Sequence, residues 1–181
     1  MIKILKKFII YFECRKLNIG WKEYSINKKG QVDIKGNVIL TNYKKIPFNF
    51  GIINGNFKCY NSNLDRLEYL PKEVIGTCDL SYNNLKSFNS LPKCKKIIVD
   101  GNDIKTFDGF DSNVVSFTNN PIYRIFKKFN DVEKIDLLND FDAIRDNEII
   151  LDRFQEFLLF LGKPKIDKHQ YRLFKQYKII K

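Results

Sequence analysis

The chain has little of what a reactive site is usually assembled from. It holds one histidine, one tryptophan and one methionine. A lone His169, with no nucleophile in a recognisable motif, does not make a general base, so no catalytic residue is expected. The four cysteines (Cys14, Cys59, Cys78 and Cys94) are scattered without a CxxC pair. A zinc site needs about four ligands at close spacing, so no metal and no cofactor are expected, and three of the four read as small, reduced, buried hydrophobes. "DLLNDFDAIRDNE" lacks the glycine and closing glutamate of a calcium loop, and "GNDIKTFDGF" lacks the lysine of a phosphate-binding loop. Alanine is almost absent, a bias of coding more than of physics. No Asn-x-Ser/Thr acceptor occurs. Long hydrophobic runs are also missing. The apolar run "FIIYF" in "MIKILKKFIIYFECRKL" is short, and lysines interrupt what precedes it, so neither a membrane span nor a secretory leader is expected. These absences point to a non-enzymatic protein that works inside a cell.

Aromatic residues are plentiful. With 16 Phe and 9 Tyr among 181 residues, the chain can bury a core without covalent staples, and the length fits one domain. The formal net charge is +11, which by itself suggests nucleic acid or an acidic surface. Its distribution weakens that reading. Residues 1–24 carry 6 basic and 2 acidic groups and residues 163–181 carry 7 and 1, whereas the middle is only mildly basic. Basic ends of this kind are more often solvated faces than grooves.

The middle repeats. Laying "IINGNFKCYNSNLDRLEYLPKEV" over "EVIGTCDLSYNNLKSFNSLPK" aligns Ile53 with Val74, Gly55 with Gly76, Phe57 with Cys78 and Cys59 with Leu80. Leu64, Leu67 and Leu70 then meet Leu85, Phe88 and Leu91, and both units close on Leu-Pro-Lys. The spacing apolar-x-apolar-x-x-Asn-x-apolar, met by Cys78, Leu80, Asn83 and Leu85, recurs as Ile97, Val99, Asn102, Ile104 and as Val115, Phe117, Asn120, Ile122. One unit places Ser62 at the asparagine position, and an upstream unit offers Val38 and Leu40 with Gly36. First positions 38, 57, 78, 97 and 115 are separated by 19, 21, 19 and 18 residues. An alternating pair puts two side chains on one face of a short strand. The sharp bend that follows strands backbone groups away from water, and an asparagine can both donate to and accept from them. Single coils bury neither face; stacking them makes a solenoid core.

The segment "LDRLEYLPKEVIGTCDLSYNNLKSFNSLPK" resembles the leucine-rich repeats of tailed bacteriophages and giant viruses, and "YSINKKGQVDIKGNVILTNYKKIPFNFGIINGNFKC" resembles the lead-in to such repeats. The likeness covers residues 24–130. It departs from the family in the first bend, which has no asparagine, in Cys and Phe at usual Leu places, and in the small number of coils. It implies an α/β protein: a short leucine-rich-repeat solenoid of about five coils with parallel strands. It further implies a viral protein-interaction module, located in the host cytoplasm or the virion.

Solenoid ends need covers. Residues 1–24 are expected to form a capping helix that packs Ile2, Leu5, Phe8, Ile9 and Phe12 on the first coil and ends near Gly20; a membrane-surface helix is the rival reading. Residues 25–121 form the solenoid and 122–181 a C-terminal helical cap. In the cap, Ile149, Ile150, Phe154, Phe157, Leu158 and Leu161 share a helix face closed by Gly162, and a last helix is capped by Asp167. If the repeat pair points inward, its neighbours point outward. The candidate partner-binding residues are therefore Asn56, Lys58, Tyr60, Thr77, Asp79, Ser81, Lys96, Ile98, Asp100, Ser116 and Thr118. Their near-balanced charge suits another protein, viral or host, better than phosphates. Two alternatives remain beside it: a virion or assembly component held by its caps, and a nucleic-acid binder using the basic C-terminal helix.

Overall fold

Two strand ladders, not one, run along the solenoid. A computed structural model describes residues 2–43, 45–64 and 70–180, with side chains from Leu5 onward. Leu67 of the repeat and the side chain of Ile2 lie outside the described residues. The described chain opens with α1 (Ile2–Lys16), followed by β1 (Tyr24–Ile26), β2 (Val32–Ile34), β3 (Val38–Thr41), β4 (Phe50–Ile53) and β5 (Phe57–Tyr60). Then come β6 (Glu73–Asp79), β7 (Lys93–Ile98) and β8 (Val114–Ser116). The first ladder joins β2, β4 and the leading halves of β6 and β7, all parallel, with β1 antiparallel on its outer edge. The second joins β3, β5, the trailing halves of β6 and β7, and β8, again all parallel. The chain is thus a short β-solenoid, and the about five coils expected are five strands of the second ladder separated by four full turns.

The glycines that align in the repeat sit at the corner between the ladders. A Cβ on Gly55 would lie 2.5 Å from the carbonyl carbon and oxygen of Gly36, and one on Gly76 would lie 2.3 Å from Asn56 Oδ1 and 2.8 Å from Gly55 O. The Gly76 N–H donates to that same Gly55 carbonyl at 2.9 Å. The backbones stack so closely that no side chain fits between them. A second column marks the bends: Asn42, Asn61, Tyr82, Gly101 and Asn119 all have φ between 52° and 64°. Asparagine and glycine enter this left-handed region most easily.

Inward side chains form two files across the second ladder. Val38, Phe57, Cys78, Ile97 and Val114 make the first, and Leu40, Cys59, Leu80, Val99 and Phe117 the second; all are buried. The last coil corrects the sequence reading. Val114 is 6 % exposed and Val115 54 %, so Val114 and not Val115 faces the core. Ile97 pairs with Val114 but Ile98 pairs with Ser116, a register irregularity that places one extra residue in β8 relative to β7. Beyond it the spacing of Phe117 and Asn120 holds.

The far end is closed by α2 (Pro121–Phe129), α3 (Ile135–Asp140), β9 (Ile144–Arg145), β10 (Glu148–Ile150), α4 (Leu151–Phe160) and β11 (Lys178–Ile180). This unit is less helical than expected. Ile149 and Ile150 lie in β10, which pairs antiparallel with β9 and parallel with β11. The segment beginning at Asp167 forms a 3-10 turn over Gln170–Phe174 and then β11, not one helix. Asp167 still accepts from the Gln170 N–H at 3.0 Å. Gly162, at φ 67°, ends α4 as expected: its N–H reaches Leu159 O and that of Lys163 reaches Leu158 O. A chain of ring contacts carries the core across the junction, from Phe88–Phe107 and Phe117–Phe126 through Phe107–Phe129 and Phe129–Phe157 to Phe154–Phe174. Solenoid and cap share one hydrophobic core.

The N-terminal helix forms, but it docks by another face. Ile10 and Cys14 are buried, while Leu5, Phe8, Ile9 and Phe12 are exposed. Asn18, at φ 56°, terminates α1 two residues before Gly20: the Asn18 N–H reaches Arg15 O and the Ile19 N–H reaches Cys14 O at 2.8 Å. That closure seats Ile19 against Cys14 and extends the apolar contact past the helix end.

Candidate functional site

The bends show what the asparagines do. Asn83 Nδ2 donates to Cys59 O at 2.7 Å and Leu80 O at 3.0 Å, while its Oδ1 accepts from the N–H groups of Ser62 (2.9 Å) and Leu64 (3.1 Å). Asn102 repeats this with Leu80 O, Val99 O and the Leu85 N–H, and Asn120 with Val99 O, Phe117 O and the Ile104 N–H. Ser62 does a smaller part: its hydroxyl accepts from the Tyr43 N–H and donates to Tyr60 O. All four side chains are buried architecture.

The candidate contact residues stand between the inward files, on the outer face of the second ladder. Asn56, Lys58, Tyr60 and Lys96 are exposed, Thr77, Asp79, Ile98, Asp100, Ser116 and Thr118 half-buried, and Ser81 buried at 6 %. Ser81 therefore does not belong to an accessible row, and the reason is Asp79. The Asp79 carboxylate accepts from the Ser81 N–H at 3.1 Å and its hydroxyl at 2.7 Å. Asp100 is committed in the same way, accepting from Ser116 Oγ at 2.7 Å and the Thr118 N–H at 2.6 Å. Asn56 is exposed yet structural: its Oδ1 accepts from the Thr77 N–H, and its own N–H donates to Asn37 Oδ1, both at 2.8 Å. Seven of the eleven candidates are thus committed to hydrogen bonds within the fold, five of them between neighbouring coils and Asp79 with Ser81 inside one.

Lys58, Tyr60, Lys96 and the half-buried Ile98 remain as the face a partner could meet. The ladder adds a residue that sequence reasoning missed. Ile39 pairs with Lys58, Lys58 with Asp79 and Asp79 with Ile98, so an exposed Ile39 begins the row. Ile52, Ile75 and Val115 are also exposed on strands or just beside them. The signal lies in the sequence itself: Ile39 sits between the inward Val38 and Leu40, and strand alternation turns it outward.

The thiols are graded by burial. Burial pushes Cys14 and Cys59 up to about 11. Interaction with the neighbouring Cys78 thiol draws half-buried Cys94 below the usual thiol range, and the same interaction, with burial, holds Cys78 well above it. Cys94 Sγ also lies 3.5 Å from the carbonyls of Pro92 and Lys96. His169 is exposed. Among the described residues no group of three or more His, Cys, Asp or Glu side chains is placed to hold a metal ion, and no helix is long and apolar enough to cross a membrane.

No family model matches this chain, and neither characterised proteins nor solved structures show significant similarity to it.

Proposed function

We propose that this is a non-enzymatic protein-recognition module of the leucine-rich-repeat kind, which binds another protein on the outer face of its second ladder. One observation carries the reading: Ile39, Lys58 and Tyr60 stand side by side on paired strands, on a scaffold whose bends are locked by buried asparagines. A rigid ladder presents such side chains with little ordering cost, which favours binding. Tyr60 as an aromatic anchor and Ile39 and Ile98 as aliphatic ones, beside Lys58 and Lys96, suit a protein surface. The likeness of the repeats to those of tailed bacteriophages and giant viruses supports a viral setting, in the infected cell or the particle.

The test compares the parent chain with an Ile39→Asp, Lys58→Glu, Tyr60→Ala variant in quantitative affinity capture from infected cells, after thermal melts show both folded. A protein captured by the parent and lost with the variant supports the reading. Identical captured sets remove the strand face. Mass spectrometry of purified particles distinguishes a virion component from a protein left behind in the cell.

A second reading rests on Lys163, Lys165, Lys168, Arg172 and Lys175, all exposed in the segment that leads into β11. A nucleic-acid contact there gives steeply salt-dependent retention that disappears when these five residues become glutamine. Retention unchanged by salt or by those substitutions excludes it.

A further inference from the structure

The helix α1 is apolar on two opposite faces, and the solenoid covers one. Ile10 and Cys14 face the core with Ile19. Leu5, Phe8, Ile9 and Phe12, spaced three and four residues apart, form a stripe roughly opposite, at the helical period of about 3.6 residues per turn. They are exposed by 63, 57, 49 and 58 %. Trp21, the sole tryptophan, is 70 % exposed just past the helix. It lines a shared surface depression with Tyr11 and Arg15, and Tyr11 with Lys7 and Phe8 lines the next one, so the aromatic surface is continuous. Isolated exposed apolar residues need no explanation; a stripe of four flanked by Tyr11 and Trp21 does.

Charge decides what covers it. Lys6, Lys7, Arg15, Lys16 and Lys22 are exposed around the stripe, and the first turn of the helix carries no acid. The two acids of this region are engaged locally: Glu13 accepts from Lys16 Nζ at 2.6 Å, and Glu23 accepts from the Gly20 N–H at 2.5 Å. A second copy of the chain would set its own cations against Lys6, Lys7, Arg15, Lys16 and Lys22. An anionic lipid surface complements them. Basic groups around an aromatic-rich stripe, with Trp and Tyr at its margin, are what an in-plane interfacial helix needs.

We propose that α1 is a peripheral anchor that lays the Leu5–Phe8–Ile9–Phe12 stripe on an anionic lipid bilayer, while Ile10 and Cys14 keep the helix fixed to the solenoid. The bilayer then lies on the side of α1 away from the repeats, and the strand face stays free for the partner proposed above. The anchor does not depend on that partner.

The test uses the full chain and vesicles of phosphatidylcholine, with and without phosphatidylserine. Trp21 reports directly, because its emission shifts to the blue as it leaves water. The expected result is co-sedimentation and a blue shift with phosphatidylserine vesicles, weakened by salt, and neither with phosphatidylcholine alone. Phe8→Ser with Phe12→Ser abolishes binding while leaving the melting curve unchanged, since both rings are exposed. Lys6→Gln and Lys7→Gln each weaken binding about five-fold. Absence of binding to phosphatidylserine vesicles overturns the proposal, as does binding undiminished by the double Phe variant. A dimer in sedimentation velocity that the same variant dissolves, without vesicle binding, assigns the stripe to a second copy instead.

Discussion

Asn83 reaches across a coil to donate to the carbonyl of Cys59 at 2.7 Å, and the same side chain receives the N–H groups of Ser62 and Leu64 from that neighbouring coil. One amide thus satisfies the bend on two levels. Asn83→Ala leaves several buried backbone groups unpaired, at about 1–3 kcal/mol for each. The expected loss is about 3–5 kcal/mol in total, since neighbouring groups and water recover part of it. Ser62→Ala, with fewer bonds to lose, costs about 1 kcal/mol. Urea denaturation midpoints of the two variants test the order; equal losses contradict the bridging role.

Gly36 and Gly55 occupy equivalent corners but differ in what lies over them. A Cβ on Gly36 meets nothing within 4 Å, whereas one on Gly55 meets the Gly36 backbone at 2.5 Å. Backbone cannot swing aside as a side chain can. Gly36→Ala is therefore expected to change stability by less than about 0.5 kcal/mol, and Gly55→Ala to cost about 2 kcal/mol or more. Thermal melts of the pair separate the close-stacking account from a general need for glycine.

Acid exposes one cap contact. The Asp142 carboxylate is hydrogen-bonded by Arg145 and also by Arg153, and its pKa falls to about 2. A carboxyl held below its unfolded value stabilises the fold above that value. The contribution is lost as pH falls from the ordinary carboxylate range near 4 towards 2. Asp142→Asn should flatten this part of the stability–pH curve and leave the curve near neutrality with the same slope. An acid limb identical to the parent's would show that the pair does not contribute.

Thiol chemistry follows the same logic. At neutral pH Cys94 should alkylate first, because its interaction with the neighbouring Cys78 thiol favours its thiolate. Cys14, Cys59 and Cys78 should stay protected until the chain unfolds, as burial disfavours the charged forms of the first two and the neighbouring Cys94 together with burial that of Cys78. Peptide mass spectrometry after a short iodoacetamide pulse reads the order. Modification of Cys59 or Cys78 before Cys94 contradicts it.

The C-terminal unit is tied to the repeats by Tyr177, whose hydroxyl donates to Lys105 O at 2.8 Å while its ring is buried. Tyr177→Phe keeps the ring and strands the carbonyl, for a loss of about 1 kcal/mol. Tyr177→Ala also opens the junction and costs about 3–5 kcal/mol, as aromatic truncations do. Hydrogen exchange should show that the alanine variant loosens β11 and the Lys105 segment together; loosening of β11 alone speaks against the joint.

The coil period, the bracing asparagines, the inward pairs from Val38 to Val99 and the stop at Gly162 were all legible in the chain. Each depends on residues close in sequence, so spacing carries it. The first ladder was half visible. Ile53 and Val74 aligned and so did Gly55 and Gly76, but the strand before the glycine is short and reads as a connection until its neighbours pair with it. Ser81 was legible only as an outward position; its burial comes from the Asp79 carboxylate turning back onto it. The end segment that begins at Asp167 had helical spacing at Tyr171, Phe174 and Tyr177. The pairing of Lys178, Ile179 and Ile180 with β10 overrides that local pattern.

By itself the sequence determined that the chain winds into stacked coils, because strand alternation and a buried polar bend recur at a nearly constant step. Tertiary structure alone decided where the register slips at Val114, and which face of α1 touches the repeats. Amphipathic spacing says that Leu5, Phe8, Ile9 and Phe12 are apolar together; it does not say that a closer fit exists through Ile10 and Cys14. That choice depends on the shape of the first coil, which exists only once its strands have paired with those of the next coil.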